Sequence, residues 1–433
     1  MRRLQTDTAK GIVHDEKIFK ERDMQMRRKA ALVLAGGLPQ IRLIKELQNR
    51  SYYVILADYT EHPIAEPFAD KFYRESTLDV EAIRKIAVKE QVEMIITCCT
   101  DQALETAARL SGELDLPCYI GADTGLAVTN KQYMKEIFEK NGIPTARHMT
   151  VNSMEFHCGL SYPLVVKPAD CNSSKGVVKV LNDSQLKKAV GDALKLSRTG
   201  TAVIEEFIEG NEVSVDLFVC GKKAKIICCS FSEKIRDRQK FVIYKGQYPA
   251  RLKDSVMKQI EDAAQKITDV FHLNNCPMLI QLLQKQDHIY IVEFSARTGG
   301  CVKYHMIEAA SGIDVIKLTV DAFEGKEVDV RPSFYPGVVV NEFIYCSEGV
   351  FDHMENVEEC LDNGLLEAAF VLKNPGVEFE HVESSADRIA AITFVADSYE
   401  EYVKKHNQAI SRIKVISADG RDIMRHDLLP ELD

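Results

Sequence analysis

Several signatures that define large classes of protein are missing from this chain of 433 residues. Its 12 cysteines include no CxxC pair and its 11 histidines show no metal-ligand spacing, which argues against a zinc site or a disulfide framework. The net charge is −10 and no long basic stripe occurs, so nucleic acid is not expected as a partner. No apolar run is long enough to cross a bilayer and no signal peptide is visible, so we expect a cytoplasmic protein with no membrane partner.

The first unit of the chain is predicted from short apolar strands. Residues 1–28 are strongly charged with mixed sign and are interpreted as a tail. In residues 29–125, apolar strands at 29–37, 52–58 and 94–99 alternate with helical segments, which predicts a doubly wound parallel sheet. A Gly-Gly turn and Asp58 resemble a dinucleotide-binding unit. The full GxGxxG fingerprint is absent, however, so tight-turn glycines and a strand-ending acid are the favoured explanation.

The second unit, residues 126–330, is predicted to contain paired strands beside helices. A helix begins at Lys131, and residues 162–168 (YPLVVKP) and 177–181 (VVKVL) are strands joined by the polar loop 170–176. A P-loop lies between a strand and a helix, so this loop is not a Walker A motif. Amides and hydroxyls of Ser173, Ser174 and Gly176 have the chemistry to hold phosphates. Lys167 would place a cation at the root of the loop, and an ordinary hairpin with an edge lysine is the alternative.

A second hairpin is predicted at residues 279–300 (LIQLLQKQDHIYIVEFSARTGG). With a three-residue loop at 286–288, Lys285 would pair with Ile289, and Gln281 would then lie opposite Glu293. Side chains alternate along a strand, so Glu293, Ser295 and Arg297 would share one face. Oxygen ligands suit Mg²⁺, which enzymes usually share with nucleotide phosphates. A simple salt bridge from Glu293 on a half-exposed hairpin is the alternative.

The remaining pattern predicts an amphipathic helix at 255–271 and a helical pair at 302–323. From about residue 336 the residue pattern changes. It predicts one helix at 398–412 and strands at 338–345, 368–373, 388–395 and 414–417. We therefore expect residues 336–433 to form a separate small α+β domain. The expected fold class is α/β and α+β.

The order of these motifs resembles that of the ATP-grasp superfamily over nearly the whole chain from about residue 29. The resemblance is carried by Lys131, YPLVVKP, the Ser/Gly loop, VIEEFIEGNEVSVD and the Gln281/VEFSAR hairpin. Within the superfamily the chain is similar to the branch of carbamoyl-phosphate synthase and biotin carboxylase. The ARTGG segment at residues 296–300 and the C-terminal part look most like L-amino-acid ligases.

This resemblance implies an ATP site with its lid at about residues 147–208. It implies that Lys131 and Lys167 hold the phosphates, and that the loop with Ser173, Ser174 and Gly176 closes over them. The adenine would be lined by Glu205, Glu206, Phe207 and Ile208, and the ribose would be bound by Glu212. It further implies two Mg²⁺ ions, with Mn²⁺ as an alternative, on Gln281, Glu293 and Ser295, and a catalytic role for Arg297. The chain departs from the family pattern at Asn130, at Cys171 and Asn172, and at Ser295, where asparagine is usual; Ser295 weakens the metal inference.

The implied activity is an ATP-dependent carboxylate–amine ligase that works through an acyl phosphate and joins two amino acids. Positioned cations would stabilise the charge that develops on the transferring phosphoryl group. A bicarbonate-using enzyme of the carbamoyl-phosphate synthase or carboxylase type is one alternative, and a non-catalytic ATP-binding scaffold is another. The expected partners are a small-molecule carboxylate, an amine and a second copy of the chain.

Overall fold

The computed structural model describes residues 29–172, 174–235 and 241–432. The predicted tail at 1–28, Ser173 and residues 236–240 lie outside the described residues. Within the described ranges, no helix combines the length and the apolar character that a membrane span requires.

The N-terminal unit is a four-stranded parallel sheet in the order β3-β2-β1-β4. Its elements are β1 (Ala30–Leu34), α1 (Leu38–Asn49), β2 (Tyr53–Asp58), β3 (Lys71–Arg74), α2 (Val80–Lys89), β4 (Met94–Ile96) and α3 (Asp101–Leu114). Strands β1 and β4 are buried along their whole length, as continuous apolar runs in a parallel sheet should be. Asp58 accepts hydrogen bonds from the backbone amides of Gly36 and Thr60, both at 2.7 Å. The carboxylate therefore shapes the loop after β1.

The next elements build a separate four-stranded antiparallel sheet, here called the lid sheet, in the order β5-β8-β6-β7. Two helices, α4 (Ala122–Thr129) and α5 (Lys131–Lys140), lead into it. Its elements are β5 (His148–Val151), β6 (Leu164–Pro168), β7 (Val178–Val180), α6 (Asp183–Leu196) and β8 (Ala202–Glu206). Leu186, Val190 and Ala193 of α6 pack with the apolar side chains of β6 and β8 in one small core.

An eight-stranded sheet in the order β13-β12-β9-β10-β11-β14-β18-β16 forms the centre of the molecule. Its first part comprises β9 (Asn211–Cys220), β10 (Lys223–Lys234), β11 (Ile243–Tyr248), α7 (Asp254–Val270), β12 (Cys276–Lys285), β13 (His288–Ser295), α8 (Lys303–Ser311) and α9 (Val315–Phe323). Helix α7 buries Ile260, Ala264 and Ile267 in the main core, as its amphipathic spacing predicts.

Three of the C-terminal strands continue the central sheet, whereas the sequence pattern predicted that residues 336–433 form a separate small domain. The elements after residue 337 are β14 (Val338–Ile344), β15 (Gly349–Glu355), α10 (Val357–Asp362), β16 (Ala368–Val371), β17 (Glu378–Phe379), β18 (Ala390–Ala396), α11 (Tyr399–Ile410) and β19 (Lys414–Ser417). Strand β14 pairs with β11 and thereby extends the central sheet through β18 to β16. All seven residues of β14 are buried, because it lies inside a sheet covered on both faces. Only β15, β17 and β19 form a small sheet of their own.

Candidate active site

A cavity of about 1230 Å³ lies where the lid sheet, the β12–β13 hairpin and the loops of the N-terminal unit meet. This volume exceeds that of a typical single-ligand pocket, so it has room for a nucleotide and a second substrate. The predicted site residues that line the cavity are Lys131, Lys167, Ser174, Glu205, Glu206, Phe207, Ile208, Glu212, Gln281, Glu293 and Arg297. Gly176 and Ser295 do not line it, and Ser173 lies outside the described residues.

The hairpin places Gln281 directly opposite Glu293, as expected, but the register of the two strands near the loop differs from the predicted one. The loop has two residues instead of three, and Lys285 pairs with His288, so the predicted Lys285–Ile289 pair is wrong. Gln286 adopts a positive φ of 55°, which suits a two-residue hairpin turn. A β-bulge next to Gln281 inserts one extra residue on β13 and restores the Gln281–Glu293 alignment.

Lys131 lies beside this pair at the start of helix α5. Asn130 caps the helix, and its side-chain oxygen accepts a hydrogen bond of 2.9 Å from the amide of Gln132. The Lys131 ammonium lies 3.4 Å from Glu293 Oε2 and donates a 2.8 Å hydrogen bond to the carbonyl of Cys171, at the start of the loop 170–176. One cation thus connects the hairpin to the polar loop.

A buried charge cluster lies beneath the lid sheet. Glu205 Oε1 is 2.8 Å from Lys167 Nζ and 3.0 Å from Lys135 Nζ, and all three side chains are buried. Burial by itself would raise the pKa of Glu205, but the two lysines bring it to about 2. Burial lowers the pKa of Lys135 to about 8. Lys135 was not predicted as a site residue, since a lysine four residues after Lys131 has the pattern of an ordinary residue on a helix surface.

The Lys167 ammonium has hydrogen-bonding capacity to spare. Its 2.8 Å contact with Glu205 Oε1 accounts for one of the three donors of the ammonium. The described residues supply no further acceptor for the other two, and burying donors without acceptors is costly. Because Lys167 also lines the cavity, an anionic ligand there would satisfy its donors.

The wall formed by residues 205–212 is built from backbone and aromatic contacts. The amide of Phe207 donates a 2.9 Å hydrogen bond to the carbonyl of Pro163, and Lys179 Nζ lies 3.6 Å from the centre of the Phe207 ring. At the far end of this wall, Glu212 forms an ion pair with Lys234 of β10. A flat, partly apolar wall followed by a carboxylate suits a nucleobase followed by a sugar.

Arg297 forms an ion pair with Asp101, an acid that was not predicted as a site residue. Its guanidinium binds both carboxylate oxygens of Asp101, with 2.8 Å from Nε to Oδ1, and donates to the carbonyl of Thr298 at 2.9 Å. Burial would raise the pKa of Asp101, but Arg297, with a hydrogen bond from Ser295, holds it below its usual value. Asp101 begins helix α3 of the N-terminal unit, which is distant in sequence, so no local pattern indicates the pair.

The polar loop 170–176 contacts the opposite side of the cavity. Ser174 Oγ donates a 3.0 Å hydrogen bond to the carbonyl of Phe241. At the base of the loop, Asp170 accepts hydrogen bonds from the amides of Arg198 and Thr199 at 3.1 and 2.9 Å. Gly176 has a φ of 74°, and a Cβ there would come within 2.8 Å of Leu196. Gly176 therefore serves the turn of this loop.

The segment after Arg297 is anchored by a second buried pair. Lys303 Nζ lies 3.3 Å from Asp216 Oδ2 and contacts Ser230 Oγ, while the amide of Gly299 donates to Asp216 Oδ1 at 3.1 Å. A Cβ on Gly299 would come within 3.0 Å of Asp216, so glycine is required by this close approach. The backbone of residues 297–303 is thus fixed against the central sheet.

The predicted metal residues offer a limited donor set. Gln281 and Glu293 face each other on the cavity wall, whereas Ser295 is buried and its hydroxyl bonds to Asp101. No group of three or more His, Cys, Asp or Glu side chains suited to a metal occurs in the described part of the chain. One carboxylate and one amide fit Mg²⁺ only if phosphate oxygens complete its shell, which is the usual arrangement at nucleotide sites.

The lid sheet and the central sheet both contribute to a cavity lined by several lysines. Residues 160–304 match the family described as the ATP-grasp domain. The resemblance to the ATP-grasp superfamily and the expected fold class are therefore confirmed.

Several known proteins are similar to this chain in sequence or structure. The L-amino acid ligase from Bacillus licheniformis superimposes with a TM-score of 0.76 at 20% identity, over 90% of this chain and 99% of that one. The biotin carboxylase from Campylobacter jejuni superimposes with a TM-score of 0.72 at 15% identity, over 93% and 94% of the two chains. The carbamoyl phosphate synthase large chain of Agathobacter rectalis is 22% identical over 348 residues, which are 69% of this chain and 31% of that one. The chain thus spans less than a third of the length of this curated relative.

Proposed function

We propose that this protein is an ATP-dependent ligase that joins a carboxylate to an amine, and that amino acids are among its substrates. The observation that carries the proposal is that one cavity is lined by a buried ammonium with donors to spare, Lys167, and by a half-buried carboxylate–amide pair, Glu293 and Gln281. Such an arrangement of cation and metal donors suits a bound nucleoside triphosphate.

The nucleotide lies in this proposal between the lid sheet and the β12–β13 hairpin. Lys131 and Lys167 bind phosphate oxygens, and the loop 170–176 with Ser174 covers them. The wall at residues 205–208 receives the adenine, and Glu212 receives the ribose hydroxyls. The support for this placement is that all of these elements line the same cavity.

Gln281 and Glu293 would hold Mg²⁺, and the number of ions proposed is two, with Mn²⁺ as an alternative. Bound there, the metal would neutralise charge on the phosphate oxygens. Ser295 supports the site indirectly in this proposal, because its hydroxyl is bonded to Asp101. The Lys131 ammonium, 3.4 Å from Glu293, would then face the same phosphates as the metal.

The reaction proceeds by attack of the substrate carboxylate on the γ-phosphorus, which gives an acyl phosphate and ADP. The amine then attacks the acyl carbon and releases inorganic phosphate, with one proton lost from the amine. Arg297, fixed in orientation by Asp101, directs charge at the oxygens of the transferring group. Closure of the loop 170–176 would exclude water, which otherwise hydrolyses the acyl phosphate.

The similarity to carbamoyl phosphate synthase large chains favours a second candidate, in which the carboxylate substrate is bicarbonate. The two candidates differ in one requirement. An amino-acid ligase forms ADP in bicarbonate-free buffer when both amino acids are present, whereas the bicarbonate-using enzyme does not.

The proposed function is tested by a phosphate-release screen over pairs of amino acids and small carboxylates, with products identified by mass spectrometry. We expect ADP formation that depends on both co-substrates and a product whose mass equals the two substrates minus one water. Binding of MgATP without release of phosphate for any pair, with or without bicarbonate, would refute the ligase and leave a nucleotide-binding protein.

We further propose that the protein is a cytoplasmic homodimer. All 12 cysteines are unpaired thiols, which suits a reducing compartment. Light scattering of the purified chain tests the dimer.

A further inference from the structure

The C-terminal part of the chain contributes an arginine to the cavity wall. Arg388 lies just before β18, and it lines the same cavity as Arg297 and Lys131. Its guanidinium stacks on the ring of Phe343, with 3.7 Å from Cζ to the ring centre. Arg388 therefore belongs to the C-terminal part of the cavity wall, which carries none of the residues assigned above to the nucleotide.

Several hydrogen bonds fix the orientation of this guanidinium. Nε donates to the Tyr345 hydroxyl at 3.0 Å, and Nη2 donates to the carbonyl of Ile243 at 2.9 Å and to Ser385 Oγ at 3.3 Å. Tyr345 is itself buried, and its hydroxyl donates to the same Ile243 carbonyl at 2.8 Å. A guanidinium held this firmly is pre-organised to bind an anion through its remaining donors, because little side-chain entropy remains to be lost on binding.

The acceptors around Arg388 are all neutral. Among the described residues, no carboxylate oxygen lies within 4.0 Å of it, and its partners are a carbonyl, two hydroxyls and the neighbouring Cys301 thiol. The cations on the nucleotide side of the cavity differ in this respect, since Lys131, Lys167 and Arg297 each have a carboxylate partner. A half-buried arginine without a counter-ion is electrostatically incomplete.

A second cation lies on the same side of the cavity. Lys373, in the loop after β16, lines the cavity and has no ion-pair partner in the described part of the chain. Its neighbour Asn374 donates a 2.9 Å hydrogen bond to the carbonyl of His62, so this loop is tied to the N-terminal unit across the cavity. The C-terminal rim of the cavity thus carries two positive charges that no described carboxylate offsets.

We propose that Arg388 and Lys373 form a subsite for an anionic group of the amine substrate, remote from the bond that is formed. A carboxylate is the group expected if the amine is an amino acid, and a phosphate ester is the other chemistry that fits. This inference rests on the proposed ligase function and adds to it the class of amine that the site selects. It follows that an amine without an anionic group is a poor substrate.

The test compares amines that differ only in their anionic group. The amines are supplied in pairs to the MgATP-dependent phosphate-release assay. One kind of pair is a common L-amino acid and its amide, and the other pair is O-phosphoethanolamine and ethanolamine. Wild type should prefer the anionic member by about tenfold to a hundredfold in kcat/KM, the scale of a charge-assisted hydrogen bond. The preferred pair distinguishes a carboxylate from a phosphate. In Arg388→Gln the ratio of kcat/KM for the anionic amine to that for the neutral amine should fall toward 1, because the KM for the anionic amine rises. Arg388→Lys should retain part of this preference.

Matched controls separate recognition of the anion from damage to the fold. Arg331→Gln removes an exposed arginine that is paired with Asp329, and it should keep the wild-type preference. Lys373→Gln changes only a loop side chain and should reduce the preference even if Arg388→Gln fails to fold. An equal preference in wild type, Arg388→Gln and Lys373→Gln would overturn the subsite, as would a wild type that uses neutral amines as well as anionic ones.

A turnover-independent readout distinguishes failure of the subsite from failure of the proposed function. Calorimetry of the same amine pairs with the MgADP-bound protein should show the same preference in binding. If no pair releases phosphate but the anionic amines still bind better, the ligase proposal fails and the subsite stands. If neither member of any pair binds to the MgADP-bound protein, the subsite is refuted.

Discussion

Lys135 Nζ lies 3.0 Å from Glu205 Oε1, and this buried ion pair joins helix α5 to strand β8 of the lid sheet. The same ammonium donates to Thr145 Oγ1 at 2.5 Å and to the carbonyl of Ile291 at 3.3 Å, beside the bulge that aligns Glu293. One cation therefore connects the nucleotide wall of the lid with the hairpin that carries the proposed metal ligand.

Lys135→Met should destabilise the protein by about 3 kcal/mol, because it leaves Glu205 buried with one cation instead of two. Glu205→Gln should be destabilising as well. The double variant should lose less than the sum of the two, by more than about 0.5 kcal/mol, since the partners are in contact. Denaturant unfolding of the four proteins measures this coupling, and strictly additive losses would show that the pair contributes nothing.

Glu293→Ala should fold normally and lose turnover, because the carboxylate that faces Gln281 is the proposed metal donor while the apolar residues of the hairpin remain. We expect kcat to fall by about a hundredfold or more. Glu380→Ala, at an exposed acid outside the cavity, is the control. Near-normal turnover in a folded Glu293→Ala protein would remove the metal assignment.

Arg297→Lys should lower kcat by about tenfold to a thousandfold and change nucleotide affinity little, because a point charge cannot replace two aligned donors. The alternative is that Arg297 only anchors helix α3 through Asp101. Asp101→Asn separates the two roles, because it weakens the anchor and keeps the guanidinium. A kcat near wild type in Arg297→Lys would exclude Arg297 from the chemical step.

The loop 170–176 should become protected from hydrogen exchange when MgADP or MgATP binds. Among the described residues of the loop, the Ser174–Phe241 hydrogen bond and the Lys131 contact to Cys171 are contacts that tie it to the rest of the cavity. Phosphates would supply acceptors for its amides. Peptides from helix α7, which lies outside the cavity, serve as the internal reference. Equal exchange of the loop with and without nucleotide would argue against a lid.

The C-terminal core should lose stability as the pH rises, because it contains a histidine that must be charged. His406 Nδ1 lies 2.9 Å from Glu342 Oε1, and Nε2 lies 3.0 Å from the carbonyl of Pro430. Both partners are acceptors, so both nitrogens must carry a proton. Burial acts to lower the pKa of His406, but the hydrogen bond and charge of Glu342 raise it above 6.5. Tyr402 and Lys245 are the other titratable groups near it.

A raised pKa in the folded state means that the contribution of His406 is fully present below pH 6.5 and is lost as the pH rises through the higher folded value. The free energy of unfolding of wild type should therefore decline over that interval by about 1.4 kcal/mol for each unit of pKa shift. In His406→Gln the decline should disappear. Urea titrations across this pH range measure it, and an unchanged slope in the variant would assign the decline to another group.

The local patterns of the chain were sufficient for most of the architecture. Continuous apolar runs in residues 29–99 predict the parallel sheet, and the spacing of Ile260, Ala264 and Ile267 predicts helix α7, because both depend on neighbours in sequence. The ordered motifs likewise predict the ATP-grasp fold. The strand β14 was predicted, but its pairing with β11, which continues the central sheet, was not, because the two strands are far apart along the chain.

By itself the sequence determined which residue types lie on the hairpin and the lid strands, since side-chain alternation follows from the chain alone. Only the tertiary structure decided their partners. Three features show this: the bulge that aligns Gln281 with Glu293, the ion pair of Asp101 with Arg297, and the absence of a described carboxylate beside Arg388. The ion pair and the surroundings of Arg388 depend on segments that are far apart along the chain. Burial and proximity set the electrostatics of such groups, and neither can be read from the residues next to them.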